Sequence, residues 1–509
     1  MHFSQLYLTF FIGLFISIGF SPLALADNHV DLSDVGEVFL ENNGSAEAQQ
    51  AFLHGLAQMH NFEYSFAADD FREAQRLDPD FALAYWGEAM TYNHPIWMMQ
   101  DKDSALEVLD RYAPSPAARQ DKAPTELGRD LFAAADILYG NGDKEDRDDL
   151  YMAHMARLYA RYPDNVEIAA QYALSIMGTA HEGREFGLYM QSAAITQNFI
   201  NDYPRHPGVA HYLIHATDDP VHAPLGLKAA NAYGMIAPNA GHALHMTSHI
   251  FLALGDWEKV IHANSRALAI INANRAEKGK DPSGCGHYPS WLMYGYLQQG
   301  ERDAAHDIMM LCHENVAANP GKPSYYYVWQ RMLYLLDSGE WSGDVAGMKA
   351  DFSDNYASLF QDQITDGWVA LEAADIPGAR VILKDAHETF SLMEQKWDDE
   401  GISEGASERQ EPVVSLMQLE SKILLASGET DAALDLLNKT VALEMDLPFG
   451  FGPPRPAKPS LELLGETLST LGENEQALAI LNSSLSRTPN KLATVAALAA
   501  LNTKMASLE

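Results

Sequence analysis

Five histidines at helical spacing carry the most specific chemistry in this sequence. His211 and His215 stand four apart in HYLIH, and His242, His245 and His249 follow in HALHMTSH. Residues three or four apart share one face of a helix, so each string presents its imidazoles to one side. The two strings are also in step: His245 follows His211 by 34 residues, and His249 follows His215 by the same 34. A lone histidine on a helix usually packs or caps, whereas five in matched register on consecutive helices are expected to converge. Packed helices stand roughly 8–10 Å apart, and a metal–imidazole bond is about 2 Å. Rings reaching inward from both helices can therefore meet at one ion. Imidazole donors suit Zn, Cu, Fe or Ni rather than Ca or Mg.

Other candidates gather around these. The string TDDPVH supplies Asp218, Asp219 and His222 as ligands or as groups that orient ligands. Histidine-only ligation in two triads, 211/215/222 and 242/245/249, is also compatible with a two-metal centre. Near the start, His60 and Glu63 stand one helical turn apart. An acid–base role falls to Asp219, Glu462 or Glu466. Other catalytic signatures are missing: there is no HExxH and no P-loop string. GISEG at 401–405 matches GxSxG only as a string, since no strand precedes it. Ser248 and His249 are adjacent on a helix and point in different directions, which argues against a Ser–His dyad.

Helices must position these side chains, and the sequence supplies a helical repeat. Residues 52–79 read FLHGLAQMHNFEYSFAADDFREAQRLDP. This resembles a tetratricopeptide repeat (TPR), with Gly55, Ala67, Phe71, Ala74 and Pro79 at that family's small, aromatic and proline positions. AYWGEAMTY at 84–92 opens the next unit. Glycine turns mark further units in LGDWEKV (254–260), QGERDAA (299–305), SGEWSGDVA (338–346), SGETDAA (427–433) and LGENEQA (471–477). Alternating β-branched runs are absent. The expected fold class is all-α, a TPR-type α-solenoid of antiparallel helix pairs held by neighbour-to-neighbour stacking. The resemblance implies that His242, His245 and His249 take repeat positions 2, 5 and 9 and line the concave groove. By the same register His287 takes position 2 of the next unit, and Glu462 and Glu466 take positions 5 and 9 of the last.

The organisation expected along the chain is a signal peptide over 1–26, N-terminal TPR units over 27–110, and an irregular helical region with loops over 111–205. Central units with the histidines follow over 206–350, then further helical repeats over 351–446, a Pro/Gly-rich linker or semi-rigid flap over 447–459, and a last unit over 460–509. Residues 113–124 and 139–149 read as long loops. Three strings, HYLIHATDDPVHAP, HALHMTSHIF and GPPRPAKPSLELLGE, together resemble a group of bacterial TPR proteins that carry them in this order. That likeness spans most of the chain, and it implies a fold and a histidine cluster but no substrate. The group usually has His where Leu461 stands here, so any role of that position is lost or moved.

Bulk properties narrow the partners. Lys and Arg number 34 against 70 Asp and Glu, a net charge of −36 that repels nucleic acid and anionic membranes. The apolar run from Leu6 to Phe20, followed by Ala24-Leu25-Ala26, reads as a secretory signal cleaved near Asp27, although no Lys or Arg precedes it. No Cys follows that run, which excludes a lipoprotein, and no later stretch reads as membrane-spanning. A periplasmic or secreted protein is expected, where the only two cysteines, Cys285 and Cys312, can pair across a helical hairpin. The functional expectation is an exported metalloprotein with Cu, Fe or Zn on His211, His215, His222, His242, His245 and His249, acting as an oxidative or hydrolytic enzyme. The alternatives are a non-catalytic scaffold holding a protein, peptide or small molecule in its groove, and metal storage or delivery.

Overall fold

The glycine turns read from the sequence are where the chain reverses. In the computed structural model, which describes residues 30–319, 325–352, 355–403 and 406–507, Gly255, Gly300, Gly339, Gly428 and Gly472 all have positive φ, between 68° and 89°. An L side chain is disfavoured there, and each glycine ends one helix so that the next can run back antiparallel. Two further turns do the same without glycine: Ala374 at φ 59° and Phe62 at φ 58°.

The product is an all-α, TPR-type solenoid. Its helical pairs include Gln49–His60 with Tyr64–Leu77, Val166–Met177 with Phe186–Phe199, Pro207–Thr217 with Ala223–Ile236, Gly241–Ala253 with Trp257–Glu277, and His287–Gln299 with Arg302–Ala317. Ser407–Ala426 with Thr430–Asp446 and Ser460–Leu471 with Asn474–Arg487 continue the series. Small residues let paired helices close up: a Cβ at Gly465 would come within 2.6 Å of Leu481. First helices of several successive pairs also pack on one another, Val166–Met177 on Pro207–Thr217 and Pro207–Thr217 on Gly241–Ala253 among them, which puts them on the inner side of the curve. Among the described residues the strands are two residues each, Asn93–His94 against Met99–Gln100. No described helix is long and apolar enough to cross a membrane.

Two apolar cores run along the solenoid, one from Val35 to Ile168 and one that continues to Leu501. Phe62 belongs by sequence to the first hairpin but packs in the second core. The array also curls back on itself. The Gln49–His60 helix touches the Pro207–Thr217 helix. At the other end, Trp257 Nε1 donates to the Asn490 carbonyl at 3.0 Å, and the Leu492 amide donates to Gln298 Oε1 at 2.9 Å. Both ends thus brace the central pairs that carry the histidines.

Several expectations are revised. The loop expected over 113–124 contains a helix, Pro116–Lys122, with Ser115 accepting from the Ala118 amide as its cap; seven residues are too few to show a period. The loop expected over 139–149 ends early, because the Lys144–Arg161 helix starts inside it. Residues 447–459 are not a free linker: they cross the inner face, as described below. Cys285 and Cys312 form a disulfide, their Cα atoms 4.5 Å apart, stapling the approach to the His287–Gln299 helix onto the helix that follows. The signal segment 1–26 lies outside the described residues, as do positions 404 and 405 of GISEG.

Candidate metal centre

The inner face of the three central pairs brings six imidazoles together in two sets of three. Ligand-capable atoms of His211, His215 and His242 all lie within 4.8 Å of one another, and so do those of His245, His249 and His287. The sets adjoin, with ring centroids of His215 and His249 5.6 Å apart and those of His242 and His245 6.2 Å apart. The helices dictate this grouping. His211 and His215 are on Pro207–Thr217, His242, His245 and His249 on Gly241–Ala253, and His287 opens His287–Gln299.

Hydrogen bonds fix the tautomer of three of these rings. His211 Nδ1 donates to the His60 carbonyl at 2.7 Å. His249 Nδ1 donates to Asp218 Oδ2 at 2.7 Å. His245 Nδ1 donates to Asn264 Oδ1 at 2.7 Å, and the Asn264 amide is oriented by its own donation to the Val260 carbonyl. In a neutral imidazole whose Nδ1 carries the proton, Nε2 presents a lone pair. The Nε2 atoms of His211, His215 and His242 are buried with no hydrogen-bond partner. Those of His245 and His249 face each other at 3.1 Å. Histidine ligands of metals show this same division, one nitrogen held by an acceptor and the other aimed at the ion.

Burial keeps the rings neutral. It pushes His211 down to about 3, and lowers His287 to about 4 with help from Arg455. It also holds His215, His242, His245 and His249 well below 6.5, neighbouring imidazoles adding to the effect. Neutral imidazole is the ligating form.

Aromatic rings close the space around both sets. Phe62, held in the left-handed region, places its ring 4.3 Å from that of His211, 5.6 Å from His242 and 5.8 Å from His215. A bulky residue at positive φ is costly, and here it caps the first triad. Trp291 stacks on His249 at 4.5 Å. Phe451 also stacks on His249, at 5.2 Å. It belongs to the 447–459 segment, which runs on past Trp291, where Gly452 leaves no room for a Cβ. Further along, Arg455 lies over the Tyr325 and Trp329 rings, and Gln418 donates to the Lys458 carbonyl. Beside Asp218 and Phe451 this segment leaves an open pocket walled by Trp257, Tyr294 and Phe449.

The remaining sequence candidates fall elsewhere. His222 Nδ1 donates to the Asp219 carboxylate at 2.8 Å and stands outside both triads. Asp219 also accepts from Arg184 at 3.2 Å and from the Val221 and His222 amides. Its neighbour Asp218 is the carboxylate that orients a triad ring. Glu462 and Glu466 are bound to Lys458, and Glu462 also to Lys491 and Thr494. Burial would raise Glu462, but Lys491 and Lys458 hold it down at about 2, which suits a structural ion pair more than a proton carrier. Glu63 accepts from the His242 amide at the start of the Gly241–Ala253 helix. His60 joins a third group, absent from the sequence reading, with Glu167 and His206: His60 Nε2 to Glu167 Oε2 at 2.8 Å and His206 Nε2 to Glu167 Oε1 at 3.0 Å. His287 could be found by counting, since Gly300 follows it by the 13 residues that separate His242 from Gly255. Phe62, Phe451, Asn264 and Glu167 give no sequence signal of their roles.

No family model and no curated protein matches the chain. Among solved structures it is similar to the Cut9–Hcn1 hetero-tetramer of APC/C, at 13% identity over 92% of this chain and 79% of that one, with a TM-score of 0.36. It is similar to yeast Tom70 at 13% identity over 90% and 96%, again with a TM-score of 0.36. The P58(IPK) TPR domain is covered over 99% of its length at 10% identity and a TM-score of 0.20. At these values the likenesses carry no argument about function. The solenoid is established by its own helical pairs.

Proposed function

We propose that this protein binds a transition metal in the imidazole cluster of its inner face and uses it as a metal-dependent enzyme in an oxidising compartment. It is supported above all by two facts: His211, His215 and His242 each bring a ring nitrogen within 4.8 Å of the others, and their buried Nε2 atoms have no hydrogen-bond partner. A buried polar atom left unpaired costs about 1–3 kcal/mol, and a metal bond is what three converging lone pairs would gain. Cu, Fe and Zn all accept imidazole. A bound ion would supply Lewis-acid or oxidative chemistry, while Asp218 orients His249 and Asn264 orients His245. The cavity beside Phe451 suits a small molecule. Export is part of the same proposal, supported by the apolar 6–20 segment and by the Cys285–Cys312 disulfide.

A protein-binding scaffold is the second reading, and the architecture favours it, since repeat solenoids present extended inner surfaces to partners. The 447–459 segment already lies over the histidines, so a peptide partner would take another stretch of that surface. Elemental analysis of the chain purified without a His-tag separates the two. Near-stoichiometric Cu, Zn or Fe in the wild type, lost in His211→Ala/His245→Ala, is the expected result. A wild type that is metal-free and fails to take up added Cu(II) or Zn(II) overturns the metal reading and leaves the scaffold.

A further inference from the structure

The two triads have the same internal plan, displaced by one repeat. In each, one helix supplies two rings four residues apart and the next first helix supplies the third from near its start. His211 and His215 correspond to His245 and His249 at the 34-residue period. His242 and His287, the third members, each precede a turn glycine by 13 residues. The intervening loop is longer before His287, yet the disulfide at Cys285 and the donation of Gln330 Nε2 to the Gly284 carbonyl pin that loop and bring His287 into place. A repeat that builds one three-imidazole set therefore builds a second beside it.

Building on the proposed metal-binding function, we infer that the chain holds two metal ions, one on His211/His215/His242 and one on His245/His249/His287, related by a single step of the solenoid. The first triad offers three unpartnered Nε2 atoms. The second is under a different strain: the Nδ1 atoms of His245 and His249 both donate outward, so their Nε2 lone pairs meet at 3.1 Å. Two nitrogens around one tetrahedral ion stand roughly 3.3 Å apart for bonds of about 2 Å. A cation between them turns that repulsion into ligation. The two triads are imidazole only; Asp218 also comes within ligand distance of His215 and His249, but its carboxylate is engaged by His249 Nδ1 and Arg184. An all-imidazole donor set is unlike the carboxylate-rich di-iron and di-manganese centres and points to ions of the copper and zinc end of the row. The His242–His245 and His215–His249 edges make the two ions immediate neighbours.

The test is metal stoichiometry of the full chain, stripped with chelator, dialysed against Cu(II) or Zn(II) and assayed by mass spectrometry of the metal. Wild type is expected to take two ions per chain, and His287→Asn and His242→Asn one each. His287 lies at a helix start and is only partly buried, so His287→Asn is expected to fold, which circular dichroism checks. The wild-type count stands without any variant. One ion per chain, unchanged by His287→Asn, overturns the two-site inference and leaves the metal-binding function intact. No ion taken up at all overturns both.

Discussion

Two groups of buried histidines in this molecule look alike in composition and behave oppositely. In the His60–Glu167–His206 group every contact is internal. The Glu167 carboxylate accepts from both rings and from the Phe39 amide, His60 Nδ1 meets the Tyr212 hydroxyl at 2.8 Å, and His206 Nδ1 accepts from the Val209 amide. The two histidines hold Glu167 far below the usual carboxylate range against the opposing effect of burial. In the two triads most rings are as buried, but an acceptor holds Nδ1 of His211, His245 and His249 while the Nε2 atoms of His211, His215 and His242 have no partner. Burial and clustering are common to both. What separates a packing histidine from a ligand is whether the fold itself satisfies both nitrogens. The satisfied group even serves the other, since the His60 carbonyl fixes the tautomer of His211.

Each group can be disrupted separately. Glu167→Ala removes the centre of the satisfied group and strands two buried rings and an amide. It is expected to destabilise the fold by about 3–5 kcal/mol in denaturant unfolding, while the folded fraction still takes up metal. A small stability change with loss of metal would make Glu167 a ligand instead.

Acid acts on the triads. His211 is lowered to about 3 and His287 to about 4 in the fold, against about 6.5 unfolded. The unfolded chain therefore binds more protons between those values, so stability is complete above about pH 6.5 and falls as pH drops, levelling for His211 near pH 3. Each ring contributes at most about 1.4 kcal/mol per pH unit in that window. Urea unfolding of the metal-free protein at stepped pH measures the slope, and a flat profile from pH 6.5 to 4 contradicts burial of the neutral rings.

Metal then reverses the deficit. At a hundredfold excess over Kd, Cu(II) or Zn(II) is expected to stabilise the wild type by about 2.7 kcal/mol, read as a rise in Tm that His211→Ala/His245→Ala lacks. Smaller still is the effect of His215→Leu on the metal-free protein. It deletes an unpartnered Nε2, so the variant should lose less than about 1 kcal/mol or gain stability, and a loss of several would show that His215 is already satisfied. Phe451→Ala should change stability least and quicken metal exchange with a chelator by exposing His249; an unchanged exchange rate would show that Phe451 does not shield that ring.

The solenoid was legible because its signals are local and repeated. A small residue such as Gly55 or Gly465 sits where two helices touch, and a glycine such as Gly300 or Gly472 sits where φ must be positive. The turn at Ala374, which has no glycine, gave no such mark, and the Pro116–Lys122 helix was too short to announce itself. Glu462 and Glu466 were placed at inward positions, but Lys458 and Lys491 claim them, and nothing in the local sequence pairs Glu462 with Lys491.

Residue spacing, through helical pitch, was enough to stand the histidines on one face of successive helices. It did not determine which of them share a site. His242 left its own helix-mates to join His211 and His215, His287 took its place beside His245 and His249, and His222 turned away to Asp219. Those choices depend on how far neighbouring helices tilt and where their partners hold each ring. Phe451 on His249 joins residues some two hundred positions apart, and contacts of that kind exist only once the superhelix has closed.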